Sequence, residues 1–334
     1  MAHGGMLARA RALFPDAPLP FLDLSTGINP VPYPLPPFSP DTLHRLPELE
    51  DVARLEAVAG AAFGVADPAC VLAGPGTQLF ISLLPKLIGR RDAQVAVLSP
   101  TYGEHAQSWA SAGCSVSTPQ HINALADADI AVLCRPNNPD GRVIARADVL
   151  ALADTLAARG GLLVVDEAFA DLETPGLSLA AEIGHPGLII LRSFGKWSGL
   201  AGLRLGFLLA PAEVVAACRA SLGPWAVSGP AIMAGLAAYA DDSWRAQAQA
   251  RLLADGMRLD ALLSAHAMRP LGGTTLFRLY AGPDAQALWH RLAHTGILTR
   301  RFDYAPDWLR FGLPGEEAEW GRLERVLPHK GENP

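Results

Sequence analysis

A serine, a lysine and an arginine stand close together between two apolar runs. Lys196 follows Ser193 by three positions and precedes Arg204 by eight, in a stretch made mostly of small and apolar residues. A lysine amine can form a covalent bond to a carbonyl carbon, and a hydroxyl and a guanidinium can together hold a phosphate. The alternative is an ordinary glycine-rich surface loop. The flanking runs, Leu188–Leu191 and Leu205–Leu209, favour a buried, chemical setting instead.

A second polar group follows a short apolar run and opens a helix. Gly76 and Thr77 stand between the predicted strand Cys70–Ala73 and a predicted helix that runs to Ile88. The unpaired N–H groups at a helix N-terminus favour phosphate, and Thr77 adds a hydroxyl. Taken alone, this pattern is better interpreted as an ordinary strand–helix turn.

Three more polar side chains follow predicted strands in the same way. Tyr102 could stack on a planar ring, and Asn138 could donate a hydrogen bond to a ring hydroxyl. Asp166 follows the apolar run Leu162–Val165, where a carboxylate needs a partner such as a protonated pyridine nitrogen. A packing tyrosine, an Asn-Pro turn and a helix cap are the respective alternatives. Ligands of open α/β sheets bind at the carboxyl ends of the strands, so the five polar groups predict one site.

The order of these groups resembles that of the fold-type I enzymes that use pyridoxal 5'-phosphate, the aspartate aminotransferase superfamily. The resemblance covers the chain from about residue 20 to the C-terminus. It implies that Lys196 is the Schiff-base lysine, that Asp166 pairs with the pyridine nitrogen, and that Lys196 and Asp166 are catalytic. It further implies that Tyr102 stacks on the ring and that Asn138 contacts the ring O3′. Four residues are implied to hold the cofactor phosphate: Gly76, Thr77, Ser193 and Arg204.

Finer motifs resemble one subgroup, the threonine-phosphate decarboxylases of cobalamin biosynthesis, which are close to histidinol-phosphate aminotransferases. The motifs are HGG at 3–5, LSTGINP at 24–30, DEAF at 166–169 and GILTR at 296–300. The resemblance implies decarboxylation of L-threonine O-3-phosphate to (R)-1-amino-2-propanol O-2-phosphate. An amino-phosphate aminotransferase similar to histidinol-phosphate aminotransferase and, from another class, a non-catalytic PLP-binding or scaffold protein that keeps the fold remain alternatives.

The same resemblance assigns substrate contacts. Arg310, in the sequence LRFG, matches the arginine that binds the substrate carboxylate in the superfamily. The candidates for the other substrate contacts, including those to its phosphate, are Arg300, Asn29, Gly27 and His3.

Two positions depart from the pattern of the relatives. In many relatives, a tyrosine three residues after the aspartate forms a hydrogen bond to O3′. Phe169 stands at that position and has no hydroxyl with which to do this. Relatives also use a tyrosine before Pro-Asp to reach the cofactor phosphate of the partner subunit, and Leu46 stands at that position.

Short apolar runs alternate with helical periodicity from about residue 50, which predicts an α/β fold with a mainly parallel sheet. The resemblance implies a seven-stranded sheet of the kind found in PLP-dependent transferases, a smaller α+β domain, and a homodimer. We expect the large domain at residues 45–240. Residues 1–44 and 241–334 are expected to form an N-terminal arm and the small domain.

Composition limits the class of protein. The chain has 334 residues, of which half are hydrophobic and 18% charged, and its formal net charge is −6, as in a folded globular enzyme. It has no basic run, no apolar run long enough to span a membrane and no signal-peptide pattern, so neither nucleic acid nor membrane is expected as a partner. The four cysteines lack metal-ligand spacing and stand in apolar segments. We therefore expect buried thiols, no metal and a cytoplasmic location.

Overall fold

The computed structural model of the chain describes residues 4–89 and 91–327, which divide into two compact units. The larger unit comprises Tyr33–Asn138 and Arg142–Arg245. The smaller comprises the described parts of Met1–Pro32, Pro139–Gly141 and Ala246–Pro334. The domain limits expected from the sequence, at residues 45 and 241, remain a prediction.

The described residues form twelve strands and twelve α-helices. The strands are β1 (Leu22–Leu24), β2 (Val71–Gly74), β3 (Gln94–Val97), β4 (Ser115–Ser117), β5 (Ile130–Cys134), β6 (Leu162–Asp166), β7 (Leu188–Ser193), β8 (Gly206–Leu209), β9 (Arg269–Thr274), β10 (Phe277–Ala281), β11 (Ile297–Phe302) and β12 (Ala305–Gly312). The helices are α1 (Leu7–Leu13), α2 (Pro40–His44), α3 (Leu49–Phe63), α4 (Thr77–Leu87), α5 (Glu104–Ser111), α6 (Arg146–Ala157), α7 (Phe194–Trp197), α8 (Ala212–Leu222), α9 (Gly229–Tyr239), α10 (Asp242–Ser264), α11 (Ala285–His294) and α12 (Glu317–Val326).

The larger unit contains a seven-stranded sheet in the order β2-β8-β7-β6-β5-β3-β4. Strand β8 is antiparallel to both of its neighbours, and the remaining pairs are parallel. Strands β5, β7 and β8 are buried along their whole length, which is why they appear in the sequence as mainly apolar runs. The prediction of an α/β fold with a mainly parallel sheet is confirmed.

The core of this unit fixes the helices that carry the polar groups. Val95, Val132 and Val164 project from three adjacent strands into one buried cluster. Phe80 of α4 and Trp109 of α5 fill the same cluster. Helices α4 and α5 are therefore held against the sheet by packing.

The smaller unit contains a five-stranded sheet in the order β1-β11-β12-β10-β9. Strand β1 runs parallel to β11, whereas the other neighbouring pairs are antiparallel. The N-terminal segment thus supplies an edge strand to a sheet whose other strands come from residues 269–312.

The length of the helices and the state of the cysteines are two further features of the fold. No helix among residues 4–89 and 91–327 is both long and apolar enough to cross a membrane. The four cysteines are free thiols; Cys114, Cys134 and Cys218 are buried. The expectation was wrong for Cys70, which is only partly buried because it ends a short 3-10 turn before β2.

Candidate active site

One pocket of the larger unit, of about 800 Å³ including its open mouth, brings the predicted cofactor residues together. All eight of them line it: Gly76, Thr77, Tyr102, Asn138, Asp166, Ser193, Lys196 and Arg204. They are separated by up to 128 positions in the chain (204 − 76). Their convergence follows from the sheet, because most of them follow the carboxyl ends of neighbouring strands.

The amino end of α4 lies beside an arginine. Gly76 precedes Thr77, the first residue of the helix, and has a left-handed φ of +86°. A Cβ atom at Gly76 would lie 2.7 Å from Nη2 of Arg204, and one at Gly206 would lie 2.6 Å from the backbone nitrogen of Thr77. The two glycines therefore allow β8 and the Arg204 guanidinium to approach the helix end closely. Backbone N–H groups, a hydroxyl and a guanidinium gathered at one helix N-terminus suit a phosphate.

A buried carboxylate of the pocket, that of Asp166, lies beside a histidine. Asp166 ends β6, where its Oδ2 lies 2.9 Å from Nε2 of His105 and its Oδ1 accepts a hydrogen bond from the backbone N–H of Ala168. Burial alone would lower the pKa of His105, but the nearby thiol of Cys134 and the Asp166 carboxylate raise that pKa to about 10. The imidazole is therefore charged at neutral pH and compensates the carboxylate. A cationic ring nitrogen in the pocket would meet a carboxylate held in a fixed orientation.

The Tyr102 side chain is held by contacts with Gln78 and His105. Its hydroxyl donates to Oε1 of Gln78 at 3.0 Å, and its ring meets the His105 ring edge-on with centroids 6.1 Å apart. Burial, followed by the nearby Glu104 and Asp166 carboxylates, raises the pKa of Tyr102 to about 12. The phenol is therefore neutral at physiological pH and acts as a hydrogen-bond donor.

The predicted Schiff-base lysine lies on the short helix α7. Lys196 is partly buried, and its Nζ lies 5.8 Å from the centroid of the Phe169 ring. Phe169 thus contributes an aromatic wall where relatives carry a hydroxyl. Asn138, also in the pocket, follows Asn137, whose amide donates to the carbonyl of Pro100 at 2.9 Å and so ties two strand-end loops together.

The predicted substrate arginines face each other in the sheet of the smaller unit. Arg300 of β11 and Arg310 of β12 are direct register partners. Arg310 is buried, and its Nη2 donates to the backbone carbonyl of Ser25 at 2.9 Å. Burial, followed by repulsion from Arg300, lowers the pKa of Arg310 to about 9. Two like charges opposite each other destabilise a sheet, so this pair is expected to gain stability when an anion binds.

Two further substrate candidates, Asn29 and Gly27, belong to the same unit. Asn29 is buried, and its Oδ1 accepts hydrogen bonds from Nη2 of Arg251 at 2.8 Å and from the backbone N–H of Val31 at 3.1 Å. Gly27 is also buried. His3 lies outside the described residues.

Sequence reasoning missed His105, Gln78 and Arg251. Only the fold brings His105 to Asp166, 61 positions away. The one available signal was its place three residues after Tyr102 at the start of a helix, where such residues share a face. Gln78 and Arg251 gave no signal, because a polar residue in a helix is usually solvated.

The sequence matches the family described as aminotransferase class I and II over residues 42–325. Threonine-phosphate decarboxylase from a Sinorhizobium species is 44% identical over 329 residues, which are 98% of this chain and 97% of that protein. The enzyme of the same name from Pseudomonas aeruginosa is 44% identical over 334 residues, with the same two coverages.

The fold has close counterparts among solved structures. Histidinol-phosphate aminotransferase from Sinorhizobium meliloti, in complex with pyridoxal-5'-phosphate, superimposes with a TM-score of 0.82 over 96% of this chain and 93% of that one, at 20% identity. At that identity the likeness concerns the fold. Together with the family match over most of the chain, it confirms the resemblance on which the sequence interpretation was based. The chain belongs to the aminotransferase class I and II family.

Proposed function

We propose that the chain is a pyridoxal 5'-phosphate-dependent decarboxylase that converts L-threonine O-3-phosphate to (R)-1-amino-2-propanol O-2-phosphate in cobalamin biosynthesis. The observation that carries the proposal is the 44% identity to threonine-phosphate decarboxylases across nearly the whole of both chains. The pocket supports it independently, since its residues suit a phosphorylated, nitrogen-containing ring.

The fit to this cofactor rests on two features of the pocket. The space left by Gly76 next to Arg204 suits the phosphate, with Thr77 and Ser193 as further ligands. The buried Asp166 suits a protonated ring nitrogen. When bound, the cofactor supplies an electron-withdrawing ring that stabilises negative charge at the substrate Cα.

The chain's own residues are proposed to hold the cofactor and to orient it. Lys196 would bind the cofactor covalently, and either its amine or a water would later return a proton to Cα. Asp166, held by His105, would keep the ring nitrogen protonated. Asn138 would donate to O3′, and Tyr102 would cover one ring face.

Two cations are proposed to select the reaction. Arg310 would bind the substrate carboxylate, while Arg300, with His3 or Asn29 as a candidate helper, would bind its phosphate. Gly27 is proposed as a further substrate contact. The facing guanidiniums support this assignment, because they place two positive charges directly opposite each other in the sheet. Fixing both ends of a small substrate fixes the rotation about its Cα bonds, and with it the bond that breaks.

Location and assembly belong to the same proposal. The four free thiols support the cytoplasm, where thiols stay reduced. We also propose a homodimer, which light scattering of the purified protein would test. Leu46, which replaces the tyrosine that reaches a partner's site in relatives, is exposed in the single chain.

The reaction is tested by incubating the protein with L-threonine phosphate, with and without 2-oxoglutarate. We expect CO₂ and aminopropanol phosphate in both tubes, with negligible glutamate. Glutamate formed in step with substrate loss, without CO₂, would instead favour an aminotransferase. A protein that forms neither CO₂ nor glutamate in these incubations, with or without bound pyridoxal phosphate, would favour the non-catalytic alternative.

A further inference from the structure

Gln78 bridges two helices that border the pocket. It lies in the first turn of α4, immediately after Thr77. Its Oε1 accepts the hydroxyl proton of Tyr102 at 3.0 Å, and its Nε2 donates to Oε2 of Glu104, in the first turn of α5, at 3.5 Å. Gln78 and Tyr102 both line the pocket.

The orientation of this amide follows from the chemistry of its partners. An ionised carboxylate only accepts hydrogen bonds, so the NH₂ group of Gln78 must face Glu104 and its carbonyl oxygen must face Tyr102. Tyr102 must then donate, which its raised pKa of about 12 permits. Within this bridge each group therefore has a defined donor or acceptor role, and the tyrosine hydroxyl cannot move away from the amino end of α4 without breaking the bond to Gln78.

The bridge continues to the carboxylate at the pocket floor. The Tyr102 ring meets the His105 ring edge-on, and His105 contacts Asp166 at 2.9 Å. A line of contacts thus runs from the amino end of α4, through Gln78 and Tyr102, to Asp166. A change at Gln78 is therefore expected to move the Tyr102 ring relative to the amino end of α4 and relative to Asp166.

We propose that Gln78 is the positioning residue of the cofactor pocket, fixing the Tyr102 ring at a set distance from the amino end of α4. The inference rests on the proposed function, in which Tyr102 stacks on the pyridoxal ring. Gln78 acts through the tyrosine hydroxyl, so its effect exists only while that hydroxyl is present.

A double-mutant cycle on the full-length, cofactor-loaded protein tests this. Gln78→Leu and Tyr102→Phe each remove the same hydrogen bond, and each is expected to raise the dissociation constant of pyridoxal phosphate about 2- to 12-fold, as for one hydrogen bond between neutral groups. The double variant should lose no more than the larger single loss. Gln107→Leu, the same change at an exposed position of α5, is the matched control and should leave the constant unchanged.

A second pair of variants uses the neighbouring charge. Gln78→Glu places two carboxylates side by side and should weaken cofactor binding. Adding Glu104→Gln restores one amide and one carboxylate, with the hydroxyl still donating, and should recover part of that binding.

Multiplicative losses in the double variant, an unchanged constant in Gln78→Leu, or no recovery in the exchanged pair would each overturn the inference. If the native protein decarboxylates phosphothreonine in the same experiments, the proposed function survives that failure. A native protein that binds no pyridoxal phosphate would overturn both.

Discussion

Nε2 of His105 lies 2.9 Å from Oδ2 of Asp166, and both side chains are more than nine-tenths buried. A buried carboxylate with a buried cation beside it differs from an ordinary surface pair, since neither partner can be replaced by water. The pair holds the Asp166 carboxylate in a fixed orientation at the pocket.

The first prediction concerns the carboxylate. Asp166→Ala should bind the cofactor but lower turnover by orders of magnitude, because the ring nitrogen loses the partner that keeps it protonated. Steady-state kinetics with L-threonine phosphate measure this. Asp154→Ala is the matched control, since Asp154 pairs with His185 at 3.0 Å but is exposed, and such surface pairs contribute little. Near-native activity in Asp166→Ala would reduce Asp166 to a structural cap.

The second prediction concerns pH. The pKa of His105 is raised from 6.5 to about 10 in the folded chain, so the fold binds this proton more tightly than the unfolded chain does. The resulting stability should be complete below pH 6.5 and should decline as pH rises towards 10. Denaturant unfolding of the cofactor-free protein and of His105→Asn at several pH values measures it. A difference in unfolding free energy between the two that does not shrink from pH 6.5 to pH 10 would contradict the shifted pKa.

The third prediction concerns the lysine. Lys196→Ala should fold, because this partly buried side chain contributes little packing, yet turnover should be lost. Borohydride reduction of the loaded native protein followed by peptide mapping should label Lys196. The sequence has three lysines, so the other two, Lys86 and Lys330, serve as internal controls. A label on either of those would remove Lys196 from its proposed role.

The fold was largely predictable because its central strands are buried on both faces. The predicted strand Leu162–Val165 is one residue shorter than the observed β6, since a short apolar run between helical segments is typical of a buried strand. Strand β4, Ser115–Ser117, was missed because it is short and mostly polar. Such a strand at the edge of a sheet is defined by pairing with β3, and the sequence carries no sign of that pairing.

The site was predictable only where its residues follow strands. Thr77, Asp166 and Ser193 are placed by strand ends, so their order along the chain carried the information. Gln78 and His105 are defined by contacts with Tyr102 and Asp166, which depend on how two helices pack on the sheet. No spacing in the sequence encodes that packing.

The fourth prediction concerns the buried arginine of β12. Arg310→Lys should raise the KM for L-threonine phosphate about 10- to 150-fold, because a lysine cannot reproduce a two-pronged contact to a carboxylate and a charge-assisted hydrogen bond contributes about 1.5–3 kcal/mol. Arg269→Lys, at an exposed position of β9, is the control and should be neutral. An unchanged KM in Arg310→Lys would assign the carboxylate to another residue.

The last prediction separates the two anionic groups of the substrate. Arg300 faces Arg310 in the sheet, and we propose that it binds the phosphate. Arg300→Ala should therefore lower kcat/KM for phosphothreonine far more than for threonine, which lacks the phosphate, whereas Arg310→Lys should lower both by a similar factor. Removing Arg300 also removes a like charge beside Arg310, so the pKa of Arg310 should rise. Kinetics with the two amino acids measure the difference between the two substrates. Equal losses for the two substrates in Arg300→Ala would exclude Arg300 from the phosphate site.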